Sequence, residues 1–348
     1  PGDTAFDLFL RIQTDNNLGL SFGGVISSSP INEAFVELRY KHLGNQAISI
    51  AANSYVGRFY SSALVKARID YPGKYPFYVR TGGSLGQFDY FRTSTYFFED
   101  KTPSYLVKND NQVFIDFGWP VTNEGRIELG LASGALKNDY YQENYFTRED
   151  TADRTRFGLW TGSMLFEINT LDRKQYAGEG NRLSLGFTYI EGSESYTPGS
   201  TSRLDPQDGM THNWFRLRLT SEQYYPFNRN YTMGIFGDLL LSTYDFLTNY
   251  TATMLMSPAF EPVPESSTRF LTSYRAHNFI GAGIRNIFHI TRNIDLRAEA
   301  YLFQPFQEIK GTAGLPFYGE PFSDRSTILS GVAIFHSPIG PITATLNH

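Results

Sequence analysis

Residues 294–303 read Ile-Asp-Leu-Arg-Ala-Glu-Ala-Tyr-Leu-Phe, apolar at every even position and charged or aromatic at every odd one. A period of two fits a β-strand and no helix, because successive side chains of a strand point to opposite faces. One face of this strand suits hydrocarbon and the other suits ions. The pattern recurs. Val36, Leu38 and Tyr40 oppose Glu37, Arg39 and Lys41; Ala63, Val65, Ala67 and Ile69 oppose Lys66, Arg68 and Asp70. Val113, Ile115, Phe117 and Trp119 oppose Asp116 and Gly118; Phe215, Leu217 and Leu219 oppose Arg216, Arg218 and Glu222. The alternation predicts strands over 18–27, 32–42, 46–56, 60–71, 76–90, 111–120, 125–136, 155–169, 181–191, 212–225, 230–244, 278–288, 293–305, 326–336 and 340–348.

The connections sort by parity. One set is short: 43–45, 72–75, 121–124, 226–229, 290–292 and 337–339, with 171–180 its longest member. The other set holds every long segment: 91–110, 137–154, 192–211, 245–277 and 306–325. A soluble sandwich has no reason to sort loops this way, whereas a membrane barrel has short periplasmic turns and long extracellular loops. The chain therefore reads as all-β, a transmembrane antiparallel barrel with lipid outside and paired charges inside. Aromatic residues make up 16%, which suits a pleated surface with interfacial girdles. A mean hydropathy of -0.32 fits a barrel whose polar lumen offsets its apolar exterior. The net charge of -5 argues against nucleic acid as a partner, and the absence of Cys excludes disulfides and thiolate metal sites.

Little else suggests chemistry. Gly82-Gly83-Ser84-Leu85-Gly86 matches a nucleophile elbow, but Gln87 to Tyr90 continue a strand where the elbow requires a helix. Small residues at 82, 84 and 86 on one face suit room for a plug in the lumen. Asp208-Gly209 stands in a loop without a paired elbow. The histidines at 42, 212, 277, 289, 336 and 348 show no ligand spacing and read as solvated or girdle residues. The acidic loop residues Glu99, Asp100, Glu149, Asp150 and Asp153 lack EF-hand spacing. No catalytic residue, metal or cofactor is assigned. Asp172-Arg173 falls in a glycine-bearing turn, where Asp can bond turn amides and Arg can brace the barrel base.

Asn169, Leu171, Asp172, Arg173, Gly178 and Gly180 resemble the turn after the eighth strand in sixteen-stranded outer-membrane barrels of the BamA/TpsB superfamily. Ser330 to Ala333 followed by Ser337, Pro338, Ile339, Gly340 and Pro341 resembles that superfamily's closing hairpin. Ser21-Phe22-Gly23-Gly24 with Ile26-Ser27-Ser28, Thr151-Ala152-Asp153-Arg154 and Pro198-Gly199-Ser200-Thr201 are similar to the barrels of patatin-like phospholipase family proteins of Bacteroidetes. The resemblance implies that 1–16 ends a periplasmic POTRA-like region, with 5–13 as its last strand. It implies that 17–348 is the barrel, lacking its last strand. It also implies that Tyr274-Arg275-Ala276 stands for the sixth loop's lumen motif, with Glu299, or else Asp295, as the arginine's acidic partner. The implied function is a translocator or anchor in the bacterial outer membrane for an attached patatin-type hydrolase. The alternative is a non-enzymatic barrel subunit of a larger assembly. The implied partners are the lipid bilayer and lipopolysaccharide, the N-terminal hydrolase and POTRA modules, and other outer-membrane proteins.

Overall fold

The computed structural model describes residues 16–25, 33–57, 60–90, 106–142, 146–147, 149–263, 266, 270–337 and 340–347. The strands are β1 (Leu18–Val25), β2 (Glu33–Leu43), β3 (Ala47–Gly57), β4 (Tyr60–Tyr71), β5 (Phe77–Tyr90), β6 (Leu106–Pro120), β7 (Gly125–Tyr140) and β8 (Asp153–Asn169). They continue as β9 (Asn181–Thr197), β10 (Gln207–Asn228), β11 (Tyr231–Ser242), β12 (Phe279–Thr291), β13 (Ile294–Pro305), β14 (Ile309–Thr312), β15 (Leu315–Tyr318), β16 (Ser326–Ser337) and β17 (Gly340–Asn347). Fifteen of them form one sheet in chain order from β1 to β13 and then β16 and β17, while β14 and β15 pair as a separate hairpin. Every adjacent pair is antiparallel. Each segment read from alternation is a strand of this sheet, and the all-β fold is the one expected. The segment 5–13 lies outside the described residues.

The two faces divide by chemistry. Along β13, Ile294, Leu296 and Leu302 are exposed while Asp295, Arg297, Glu299, Tyr301 and Phe303 are buried. Val36, Leu38, Val65, Val113, Ile115, Trp119 and Phe215 are likewise exposed, whereas Glu37 and Glu128 are buried. A globular interior would reverse this arrangement; hydrocarbon outside and ion pairs inside require it. The sheet curls so that the turn joining β8 to β9 touches the inward faces of β10, β12, β13 and β16.

Two features go beyond the sequence reading. Strands β6, β7, β9 and β10 run four to six residues further toward the loop end than alternation indicated. There the outward face turns largely polar while the inward face carries Leu106, Tyr140 and Tyr196, so an apolar-out, polar-in period no longer marks the strand. The long connections also carry structure: α1 (Tyr250–Met256), a 3-10 turn (Thr272–Tyr274), and the β14–β15 hairpin.

Candidate functional site

The inward face near the turn end carries a run of alternating charge. Asp116 on β6 lies 2.8 Å from Arg80 on β5, and Arg80 lies 3.3 Å from Glu128 on β7. Arg126 on β7 stands 3.5 Å from Glu128 and 3.7 Å from Glu167 on β8. Arg182 on β9 continues to Glu167 at 3.4 Å and to Glu222 on β10 at 3.7 Å. Glu222 then meets Arg285 on β12 at 2.5 Å. Each of these glutamates is shared by two guanidiniums, so no charge is left alone in a poorly hydrated interior.

Arg285 is the most completely satisfied member. Its Nε donates to Tyr301 Oη at 2.8 Å, and its Nη1 donates to Tyr224 Oη at 2.6 Å. Its Nη2 donates to the Pro262 carbonyl at 3.3 Å. Tyr301 in turn donates to Glu299 Oε2 at 2.7 Å. Both tyrosine rings cross to a neighbouring strand over a glycine, Tyr301 over Gly283 and Tyr224 over Gly234, where a Cβ would collide with the ring. Those absent side chains let both hydroxyls converge on one guanidinium.

The segment between β11 and β12 packs against this wall from within. Asn249 caps α1 through Ala252 N at 2.9 Å, and its Nδ2 donates to Tyr140 Oη on β7 at 2.7 Å. Thr248 N donates to the buried Glu194 carboxylate on β9 at 3.1 and 3.2 Å. Leu247 and Leu255 join Tyr140, Phe157, Ile190 and Trp214 in one apolar cluster. Since β7 stands four strands from β11, the segment crosses the lumen to reach it. It then returns: Phe260, 1% exposed, packs among Phe236, Phe279 and Phe303, over the bare backbone of Gly281.

The turn at 171–180 closes on the opposite mouth. Asp172 Oδ1 accepts from Gly178 N at 2.9 Å and Glu179 N at 3.1 Å. Gly180 has φ +88°, a left-handed conformation that suits glycine, and its carbonyl accepts from Tyr224 N at 3.1 Å. Leu171 and Ala177 pack with Tyr224 and Ile287, and Arg297 Nη1 donates to the Ala177 carbonyl at 3.4 Å. Arg173 Nη1 lies 2.8 Å from His336 Nε2 and 3.8 Å from Asp295 Oδ2. Asp295 is held by His289 Nδ1 and His336 Nε2, each at 2.7 Å.

The structure therefore pairs the expected residues differently. Among the described residues no ion pair joins Arg275 to Glu299 or Asp295. Arg275 Nη1 donates to the Ser257 carbonyl at 2.8 Å and its guanidinium lies over Phe270. Glu299 lies 2.8 Å from Arg297, and the guanidinium that approaches Asp295 is Arg173. Facing was readable from alternation, but partners depend on which turns fold inward. Tyr274 Oη donates to the Thr327 carbonyl at 2.7 Å. Ala276 is fully buried with ordinary backbone angles. In the last hairpin Ser337 Oγ donates to the Gly340 carbonyl at 2.6 Å, Gly340 has φ +127°, and Pro341 pairs with His336; Pro338 lies outside the described residues.

Some of the histidines differ from their reading as solvated or girdle residues, whereas His42 is exposed as expected and His348 lies outside the described residues. His289 and His336, on strands flanking β13, converge on Asp295, and His277 is 1% exposed with Nδ1 2.7 Å from Tyr318 Oη. Ser84 sits within the unbroken strand β5, with no helix after it. The two motifs Thr151–Arg154 and Pro198–Thr201 meet: Gly199 N donates to Asp153 Oδ1 at 2.5 Å and Ser200 N to the Thr151 carbonyl at 3.1 Å. They staple two loops together. Among the described residues no group of three ligating side chains has metal-holding geometry.

No protein-family model and no curated protein sequence matches the chain. Solved structures do. BamA from Haemophilus ducreyi lacking POTRA domains 1-3 matches with a TM-score of 0.65 at 13% identity, over 96% of this chain and 67% of that one. CdiB from Acinetobacter baumannii matches with a TM-score of 0.48 at 8% identity, over 97% of this chain and 61% of that one. The translocator domain of autotransporter NalP from Neisseria meningitidis gives 0.32 at 10% identity, over 92% and 89%. The chain thus spans about two thirds of the BamA chain and less of CdiB. At such identities the likeness is one of fold, and the BamA match shows it: this chain has the barrel architecture of that outer-membrane protein.

Proposed function

We propose that this chain is the membrane-embedded barrel of a bacterial outer-membrane translocator, which anchors an attached unit and passes or displays it. The observation that carries the reading is the segment from β11 to β12, which crosses the lumen to bond Tyr140 on the far wall. A simple diffusion pore gains nothing from a plug seated by a buried cap, an apolar cluster and contacts to the charge belt. In this reading the segment is the superfamily's sixth loop, and Tyr274-Arg275-Ala276 its motif. The finer reading, a patatin-type hydrolase joined upstream through POTRA modules, rests on the residue resemblances at Thr151–Arg154 and Pro198–Thr201. Chemistry then belongs to the upstream unit, and this segment supplies anchorage and passage.

Single-channel conductance in planar bilayers tests the plug. The intact chain is expected to show small, flickering currents, and a variant lacking 245–275 a large stable one. Equal, large conductance from both would remove the basis for a gated translocator. Protease shaving of whole cells tests the carrying role: the upstream unit is expected at the surface only when the barrel is intact.

A further inference from the structure

The outward face of β7 and β8 changes chemistry sharply toward the loop end. On β8 the outward residues from Ile168 to Gly158 are Ile168, Phe166, Met164, Gly162, Trp160 and Gly158, none of them charged. Ten steps of about 3.3 Å, tilted by about 40°, climb about 25 Å along the barrel axis, the height of an outer-membrane barrel's apolar band. Trp160 and Tyr189, with ring centroids 5.3 Å apart, mark its upper margin. The next outward positions are Arg156 and Arg154 on β8 and Lys137 and Asp139 on β7.

The register sets Lys137 opposite Arg156 and Asp139 opposite Arg154. Asp139 accepts from Arg154 Nε at 2.6 Å and lies 3.6 Å from Lys137 Nζ, so one carboxylate answers two of the three cations. Arg156 is exposed and, among the described residues, has no ion pair. The neighbouring acids are engaged elsewhere: Glu191 accepts from Tyr189 Oη at 2.8 Å and Asp208 from Ser195 Oγ at 2.6 Å. Like charges directly opposite on a strand pair repel, so the arrangement calls for an anion from outside. Below it, a Cβ on Gly158 would meet nothing, so the wall under the cations is open to an acyl chain.

We propose that Lys137, Arg154 and Arg156 bind the phosphate group of a phosphorylated lipid in the leaflet at the loop end. Guanidinium forks match phosphate oxygens, and cations at the margin of the hydrocarbon lie at headgroup depth. The inference rests on the membrane reading above and adds a defined lipid contact to it.

The full chain in phosphatidylcholine nanodiscs would be offered diphosphorylated lipid A or the same lipid without its phosphates, and retained lipid counted by native mass spectrometry. The test variant is Lys137→Gln with Arg156→Gln, which keeps the Arg154–Asp139 pair. The wild type is expected to prefer the phosphorylated lipid, and the variant to lose about 10- to 30-fold of that preference. Equal retention of the two lipids by the wild type, or an unchanged preference in the variant, overturns the site. A chain that inserts with normal heat-modifiable migration yet ignores phosphate defeats only this proposal; one that never enters the nanodisc defeats the membrane reading with it.

Discussion

Arg285 concentrates the physics of this lumen in one side chain. It is 8% exposed, yet every guanidinium nitrogen has an oxygen within reach on Glu222, Tyr224, Tyr301 or Pro262. Arg285→Met removes the cation and leaves Glu222 with Arg182 at 3.7 Å and the Tyr224 hydroxyl at 3.4 Å. Breaking a buried pair in this way costs about 3–5 kcal/mol, so the denaturation midpoint of the refolded barrel should fall accordingly. An unchanged midpoint would mean that water, not Arg285, satisfies these oxygens. His277 makes a prediction with a sign. Burial holds its imidazole down from 6.5 to about 4. The unfolded imidazole gains its proton below about pH 6.5, whereas the folded one resists protonation until about pH 4. Stability is therefore flat above pH 6.5 and declines as pH falls toward 4, by up to about 3 kcal/mol. His277→Gln should abolish that part of the slope between pH 7 and pH 4.5; identical slopes would clear the residue. Neither residue's role could be read from sequence, because each depends on partners more than a dozen positions away.

The strands were the most legible elements, since a wall with lipid on one side and ions on the other enforces period two for its whole height. Legibility failed where that constraint lapses. In the loop-end extensions of β6, β7, β9 and β10 the outward face turns largely polar and the inward face takes up Leu106, Tyr140 and Tyr196, so the alternation fades although pairing continues. Helix α1 is seven residues long, with threonines at 251 and 253, and its strongest sequence mark is the cap Asn249. The β14–β15 hairpin turns through Ala313 and Gly314, both left-handed, and alanine is an unusual choice at such a position. The 171–180 turn was visible as a motif, but its inward course was not. That course separates its two glycines. At Gly180 a Cβ would strike the Thr170 carbonyl and the left-handed backbone would be strained; at Gly178 it would make an ordinary 3.7 Å contact with His289. Gly180→Ala should cost at least about 1–2 kcal/mol while Gly178→Ala stays within about 0.5 kcal/mol, judged from paired urea titrations. Equal costs would show that the turn does not hold this course.

On the scale of the whole molecule, the lumen is entered from both ends by the chain's own segments, and both rest on one charge belt. The β11–β12 segment reaches Arg285 through the Pro262 carbonyl, and the β8–β9 turn reaches Tyr224 and Arg297 through the Gly180 and Ala177 carbonyls. Main-chain carbonyls are the shared language on the belt itself, although the turn also sets Arg173 against His336 and Asp295. Such docking is reversible in principle, since a carbonyl released to water loses little, while the belt stays paired without it. A covalent tether can therefore separate movement from mere presence. The chain has no Cys, so Thr248→Cys with Met210→Cys offers the only reactive pair, placed where Thr248 Oγ1 lies 3.6 Å from Met210 Sδ. Joined by a short cleavable thiol cross-linker, these residues fix the start of the inward segment to β10 near its loop end. If the segment must leave for passage, the tethered barrel should stay closed in bilayer recordings under applied voltage, and reduction should restore its openings. If openings persist with the tether intact, the conducting path runs beside the segment along the β2–β7 wall, and the plug is a fixed part of the barrel rather than its gate.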